Sequence, residues 1–117
     1  MCAAEDRRYG LVVRFEVLDG HEDAFDALTA ETVAEINARE PGTLAYLTHR
    51  EEGSPAVRVF YELYRDIAAF EAHEAGPHVQ RFLAERAAHL RGEPLADANT
   101  RLASGSLSGV VPAGAGV

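Results

Sequence analysis

Residues 57–82, VRVFYELYRDIAAFEAHEAGPHVQRF, constrain the fold more than any other stretch of this sequence. The first residues are β-branched and aromatic and alternate as in a strand, and Arg65-Asp66 is typical of a turn. A short helix follows, and Gly76-Pro77 ends it because proline cannot continue the hydrogen-bond ladder. The segment therefore predicts a strand that leads directly into two successive helices.

The rest of the chain supplies a sheet for these helices. The apolar spacing predicts strands at Tyr9–Leu18, Thr43–Arg50, Ala56–Tyr64 and, at the edge, Ala98–Ala103, and helices at Glu22–Arg39, Ile67–Ala75 and Val79–Leu90. This order indicates an α+β fold of the ferredoxin-like split βαββαβ type, with a four-stranded antiparallel sheet and helices on one face. We expect one domain at residues 9–103, an N-terminal tail at 1–8 and a flexible C-terminal tail at 104–117.

Composition excludes several classes of partner. The net charge is −8 and lysine is absent, so the clustered cations that bind phosphates are missing and nucleic acid is not an expected partner. No apolar stretch approaches the ~20 residues that span a bilayer, and the charged N-terminus does not resemble a signal peptide. Cys2 is the single cysteine. We therefore expect a cytoplasmic protein without a membrane partner.

The third strand has two different faces. One face carries Val57, Val59, Tyr61 and Leu63, and the other carries Arg58, Phe60, Glu62 and Tyr64. The first face is the more apolar, so we expect it to meet the helices, with Glu62 and Tyr64 on the opposite, structural side. That second face, with Val12 and Leu18, would leave apolar side chains in water, which predicts a homodimer of stacked sheets. Opposite charges at Arg14, Glu16, Arg58 and Glu62 are expected to pair across the strands near this interface.

Residues 61–82, YELYRDIAAFEAHEAGPHVQRF, resemble the antibiotic biosynthesis monooxygenase domain family. The similar features are an aromatic-Glu pair near the end of a strand, a polar turn, an Ala-Phe-x-x-His helix and a second His before the last helix. Asp19-Gly20 and Glu40-Pro41-Gly42 agree with the family upstream, so the resemblance covers roughly residues 9–90. It implies a dimeric α+β barrel with a pocket between sheet and helices in each subunit.

The resemblance implies fold more specifically than reaction. Relatives include quinone-forming monooxygenases that use neither metal nor flavin, quinol oxidases, sugar-phosphate isomerases and haem-degrading enzymes. This chain has no tryptophan, and His73 and Leu83 occupy the positions that resemble the tryptophan and the haem-binding histidine of the haem-degrading relatives. We therefore do not expect haem degradation.

The two histidines of the resemblance are the first candidates for catalysis. His73 is a catalytic candidate because an imidazole can accept a phenol proton near neutral pH; the alternative is a helix-end histidine bonded to a local carbonyl. His78 is a second catalytic candidate, with a structural hydrogen bond at the helix start as the alternative. A dedicated metal site needs three or four ligands, and the sequence does not bring them together, so no metal is expected.

The aromatic residues are candidates for binding. Tyr61 is a third catalytic candidate, because a hydroxyl on a buried face needs a partner that a substrate can supply. Tyr46, Phe15, Phe70 and Phe82 are candidate substrate-binding residues, although each phenylalanine is equally compatible with plain core packing. The face of the second strand that carries Tyr46 is left open.

Three functions are compatible with these residues. The first is a cofactor-independent monooxygenase that oxidises an aromatic polyketide or quinol, with molecular oxygen as co-substrate. The second is a non-oxidative enzyme, such as an isomerase of a small metabolite, which the absence of lysine disfavours for a sugar phosphate. The third is a non-catalytic ligand-binding dimer.

Overall fold

The computed structural model describes residues 7–92 and the backbone of residues 100–103. The elements are β1 (Tyr9–Glu16), α1 (Glu22–Arg39), β2 (Thr43–Glu51), β3 (Ser54–Tyr64), α2 (Ile67–Ala75), α3 (Pro77–Glu85), a 3₁₀ turn (Arg86–His89) and β4 (Thr100–Ala103). The bounds predicted for α1 and α2 are confirmed. The last predicted helix differs, because it starts at Pro77 and tightens into the 3₁₀ turn. The predicted C-terminal tail and most of the N-terminal one lie outside the described residues.

The sheet is antiparallel, with the strand order β2-β3-β1-β4. β1 pairs with β3 in a register that places Val13 opposite Phe60 and Leu11 opposite Glu62. The β4 backbone pairs with β1 from Tyr9↔Ala103 to Val12↔Thr100. The helices pack against this antiparallel sheet, so the predicted α+β ferredoxin-like architecture is confirmed.

Local sequence explains where the helices begin. Glu22 and Asp23 lie in the first turn of α1, where the helix dipole favours negative charge. The Asp66 carboxylate accepts a 2.8 Å hydrogen bond from the Ala69 amide and so caps α2. Pro77 occupies the first turn of α3, where its missing amide hydrogen is not needed. In the described part of the chain, no helix is both long and apolar enough to cross a membrane.

Four phenylalanines form the centre of the core. Phe15 of β1, Phe25 of α1, Phe60 of β3 and Phe82 of α3 are at most 3% exposed. Their ring centroids lie 4.8–6.5 Å apart in tilted and edge-on arrangements, which aromatic quadrupoles favour. The helices are thereby fixed against one face of the sheet.

The predicted faces of β3 are wrong. Because Phe60 pairs with the inward-facing Val13, the residues that meet the helices are Arg58, Phe60, Glu62 and Tyr64. The face tolerates its two charged residues because each has a partner there. Arg58 donates two hydrogen bonds to Asp26 of α1, at 2.8 and 3.0 Å, and Glu62 accepts one from Tyr64. The predicted pairing of these charges with Arg14 and Glu16 at a dimer interface is therefore also wrong; Arg14 pairs with Glu51 instead.

The opposite face of the sheet, here named the open face, is apolar. Val12, Leu47 and Tyr61 form one row across three strands, and Val59 and Leu63 flank it on β3. All five side chains keep part of their surface exposed, because no described helix covers them. The apolar residues of β3 that were expected beneath the helices thus lie on the open face.

Candidate functional site

A cavity of about 110 Å³, here named the inner cavity, lies between the sheet and the helices α2 and α3. Its lining residues come from every layer of the domain: Leu11, Val13, Phe15, Tyr46, Glu62, Phe70, His73, Glu74, Val79, Phe82, Leu83 and Arg86. A dry cavity of ~150 Å³ in another protein holds benzene, so the inner cavity approaches the size of one aromatic ring. Seven of its twelve lining residues are aliphatic or phenylalanine, and the polar groups of the other five converge within it, as in small-molecule sites.

His73 lies in the wall of the inner cavity and is 3% exposed. Its ring lies between two tyrosines, with centroids 5.6 Å from Tyr46 and 5.1 Å from Tyr64. The Nδ1 atom is 2.7 Å from Oε1 of Glu40. The Nε2 atom lies 4.0 Å from Oε1 of Glu62 and has no hydrogen-bond partner among the described residues. One nitrogen is therefore engaged, and the other is available to a molecule in the cavity.

Glu40 connects three segments of the chain. Oε1 accepts a 2.6 Å hydrogen bond from the Thr43 hydroxyl in addition to its contact with His73. Oε2 is hydrogen-bonded to Nε2 of His78 at the start of α3. Burial by itself raises the pKa of Glu40, but the hydrogen bonds from His73, Thr43 and His78 outweigh it and hold the pKa below its usual value. Glu40 is therefore a buried, ionised carboxylate.

Two glycines make this arrangement sterically possible. A Cβ on Gly42 would lie 2.7 Å from the Cβ of Ala69, so glycine allows the loop that follows Glu40 to approach α2. A Cβ on Gly76 would lie 2.8 Å from Cε1 of His78, so glycine leaves space for that ring to turn toward Glu40. The predicted helix break at Gly76-Pro77 thus also positions a side chain of the site.

Glu62 supplies a second carboxyl group to the inner cavity. Its side chain is 7% exposed, and its Oε1 accepts a hydrogen bond from the Tyr64 hydroxyl. Burial raises the pKa of Glu62, and the Tyr64 and His73 contacts only partly offset this. The pKa values of the two carboxyls beside His73 are therefore shifted in opposite directions: that of Glu40 is lowered and that of Glu62 is raised.

Arg86 and Tyr46 complete the polar lining. The Arg86 guanidinium lies over the rings of Phe15 and Phe82, at 5.4 and 6.0 Å from their centroids. It is partly exposed, so its charge remains in contact with solvent. Burial, with the nearby Glu62 and Glu40 carboxyls, raises the pKa of Tyr46 well above its usual value, so this phenol stays protonated.

A second, shallower pocket of about 400 Å³, here named the outer pocket, lies on the other side of the Glu40 contacts. Glu40, His73 and His78 line it together with Thr43, Gly42 and residues of the surrounding loops. His73 is the residue that lines both the inner cavity and the outer pocket, so its imidazole forms part of the wall between them.

The structure brings most of the predicted site residues together. His73, Tyr46, Phe15, Phe70 and Phe82 all line the inner cavity. His78 lies outside this lining and reaches His73 through Glu40. Tyr61 lies on the open face of the sheet, away from His73, which corrects the expectation that its hydroxyl is buried beneath the helices.

Glu40, Glu62 and Arg86 belong to this site but were not predicted from the sequence. Glu40 was noted only within the Glu40-Pro41-Gly42 motif before the second strand, and nothing local links it to histidines more than 30 positions away. Glu62 was assigned to the face away from the helices, because the more apolar face of β3 was expected to meet them. Arg86 lies in the last predicted helix, where its sequence position is that of any solvated arginine. Among the described residues, His, Cys, Asp and Glu side chains do not form a group of three that could hold a metal ion.

Comparison with known proteins agrees with this geometry. The sequence profile of the antibiotic biosynthesis monooxygenase family matches residues 8–85. No protein of the curated set matches the chain. A protein of Caulobacter crescentus with the same family description superposes with a TM-score of 0.78 at 22% identity, over 85% of this chain and 91% of that one.

Two further solved structures show the same fold. A Nitrosomonas europaea protein with that family description has a TM-score of 0.77 at 20% identity, over 92% of this chain and 99% of the other. A conserved protein of Methanosarcina mazei has a TM-score of 0.76 at 16% identity, over 85% and 94% of the two chains. At these identities the likeness establishes the fold.

Proposed function

Because the chain belongs to the antibiotic biosynthesis monooxygenase family, we propose that it is a cofactor-independent monooxygenase of small dihydroxylated aromatic molecules. The observation that carries the proposal is the position of His73. Its unengaged Nε2 faces a small cavity of at most single-ring size, with the Glu62 carboxyl 4.0 Å away. A base of this kind can take the proton of a bound phenol at neutral pH.

The inner cavity supports each requirement of the reaction. Nε2 of His73 accepts the phenol proton, and removal from water into the enclosed site makes the resulting phenolate a better electron donor. In its protonated form, which burial favours, the Glu62 carboxyl donates a hydrogen bond to a second oxygen of the ring. Arg86 is the arginine in the lining and compensates negative charge as it forms on the substrate and on oxygen.

The redox chemistry needs only the substrate and molecular oxygen. The phenolate transfers one electron to O₂, giving a semiquinone and superoxide, which combine at a ring carbon to form a hydroperoxide. Loss of water from the hydroperoxide leaves a hydroxyquinone. One oxygen atom of O₂ remains in the product and the other leaves as water, and both reducing equivalents come from the dihydroxyarene. The protein contributes proton removal, orientation and desolvation.

The volume of the inner cavity limits the substrate. About 110 Å³ is at most the size of a single ring, whereas drug-sized ligands occupy ~300–1,000 Å³. A larger polyketide would place only its reacting ring beside His73, with the remainder outside the inner cavity. We therefore name single-ring quinols as the first substrates to test, and extended polyketides as the second.

Oligomerisation and location remain predictions. We propose that two four-stranded sheets stack through their open faces to form the homodimer. Stacking on a second copy is supported by the apolar row of Val12, Leu47 and Tyr61, which a monomer exposes to water. The proposed location is the cytoplasm.

A direct test measures oxygen consumption with 1,4-dihydroxybenzene in chelator-treated buffer, after subtraction of the autoxidation rate without protein. We expect His73→Gln to lower the protein-dependent rate on the order of 10²-fold, the low end of what a positioned base contributes. The matched control is His49→Gln, because His49 is exposed and lies outside the inner cavity. Oxygen uptake that is absent in the wild type, or equal in both variants, contradicts the proposal.

A non-oxidative function is the second candidate, and the opposite protonation preferences of Glu40 and Glu62 favour it. A carboxyl whose pKa is raised by burial and a histidine base at one cavity are the kind of pair that an isomerase uses to move a proton within its substrate. The two functions differ in their need for oxygen. Hydrogen–deuterium exchange into a hydroxyketone under anaerobic conditions, lost in His73→Gln, would support the isomerase instead.

A further inference from the structure

We propose that Glu40 is the positioning residue of His73: it holds the imidazole in one tautomer, with the proton on Nδ1 and the lone pair of Nε2 available to the inner cavity. The catalytic consequence of this inference rests on the proposed function, whereas the tautomer itself does not. Glu40 follows α1 and begins the Glu40-Pro41-Gly42 motif, and the sequence pattern assigns it no role toward His73.

The donors around the Glu40 carboxylate determine where the His73 ring carries its proton. An ionised carboxylate has only acceptor sites, so each nitrogen within hydrogen-bond distance must carry the proton. Nδ1 of His73 lies 2.7 Å from Oε1, and this contact requires the hydrogen on Nδ1. A neutral imidazole carries one ring proton, so Nε2 is left without one and becomes the acceptor.

The position of Nε2 gives this tautomer a use. Nε2 lies 4.0 Å from Glu62 in the lining of the inner cavity, where the proton of a bound phenol would lie. The opposite tautomer would present an N–H donor at the same place and could not act as a base. When Nε2 accepts a proton, the imidazolium is 2.7 Å from a buried carboxylate, which stabilises the charge. Carboxylates orient catalytic histidines in the same way in hydrolase triads.

His78 and Thr43 hold Glu40 in place. His78 binds Oε2 from the start of α3, and the Thr43 hydroxyl donates to Oε1 from the start of β2. The carboxylate is 10% exposed, so little water competes for these contacts. Three donors from three segments therefore fix both oxygens and, through Oε1, the ring of His73. This explains why His78 is linked to the site without lining the inner cavity.

The test is a tautomer measurement in protein labelled with ¹⁵N at histidine, because imidazole ¹⁵N chemical shifts distinguish a protonated from an unprotonated ring nitrogen. The variants are Glu40→Ala, which removes the acceptor, and Glu40→Asp, which keeps a shorter carboxylate. Glu35→Ala is the matched control, because Glu35 is a solvent-facing glutamate near the end of the same helix. Thermal unfolding checks that each variant is folded.

We expect neutral His73 of the wild type and of Glu35→Ala to carry its proton on Nδ1. In Glu40→Ala a population protonated on Nε2 should appear, and Glu40→Asp should restore part of the wild-type signal. Oxygen uptake with 1,4-dihydroxybenzene should fall on the order of 10²-fold in Glu40→Ala through kcat with little change in KM, because Glu40 does not line the inner cavity.

A wild-type His73 protonated on Nε2, or a tautomer unchanged in Glu40→Ala, would overturn the inference. If Glu40→Ala does not fold, the wild-type tautomer and the Glu40→Asp spectrum decide the question. If the wild type consumes no oxygen with any quinol, the proposed function fails, while the tautomer spectra still decide the role of Glu40.

Discussion

Filling the inner cavity with a larger side chain tests whether the cavity is a binding site or only a gap in the packing. Val13 lines the cavity. Val17, four residues further along the chain, is 0% exposed and does not line the cavity. Replacing either valine by phenylalanine adds the same bulk. If the new ring of Val13→Phe fills about half of the 110 Å³, it recovers about 1 kcal/mol at ~24 cal/mol per Å³ of cavity.

We therefore expect Val13→Phe to change the free energy of unfolding by no more than about 1 kcal/mol. Val17→Phe should lose about 1–3 kcal/mol, the usual cost of overpacking a filled core. Urea denaturation followed by circular dichroism measures both values, and isothermal titration with 1,4-dihydroxybenzene measures binding, which should weaken at least tenfold in Val13→Phe alone. Equal destabilisation of the two variants, or unchanged binding in Val13→Phe, would refute the reasoning.

Three further predictions concern the surroundings of the site. Burial raises the pKa of Glu62, so its stabilising contribution is complete below the pKa of the unfolded state and is lost as pH rises through the folded pKa. The free energy of unfolding of Glu62→Gln, relative to that of the wild type, should therefore increase from pH 4 to pH 8 by about 1.4 kcal/mol per unit of pKa shift. A difference in urea midpoint between the two proteins that is the same at both pH values would contradict this. Leu63→Lys on the open face should halve the mass measured by light scattering, whereas an unchanged mass would exclude stacking through that face. Asp66→Ala removes the cap of α2 and should lower the free energy of unfolding by about 1 kcal/mol, measured by thermal unfolding. A decrease smaller than the error of that measurement would show that the cap does not stabilise the protein.

The elements could be predicted from the sequence because each depends on local chemistry. The bounds of α1 and α2 are set by Asp19-Gly20, Pro41 and Gly76, which act on their immediate neighbours. The place of His73 on the short helix and beside a pocket was predicted through the family resemblance. The motif of that resemblance contains this histidine at a fixed spacing from Phe70.

The faces of β3 could not be predicted, because burial of a charged residue depends on a partner elsewhere in the chain. Arg58 faces the helices because Asp26 of α1 binds it there, and the alternation of the strand places Glu62 and its partner Tyr64 on the same face. The apolar alternative, with Tyr61 inward, is locally reasonable and is decided only by the β1–β3 register. Glu40 was missed for the same reason, because its partners His73 and His78 are distant in sequence.

The central claim is that His73 promotes insertion of one atom of molecular oxygen into a quinol held in the inner cavity. The most direct measurement is mass spectrometry of the product formed from 1,4-dihydroxybenzene under ¹⁸O₂. We predict a hydroxyquinone with one ¹⁸O atom in the wild type and in His49→Gln, and little product in His73→Gln. A product without ¹⁸O, or equal labelled product in all three proteins, would contradict the account.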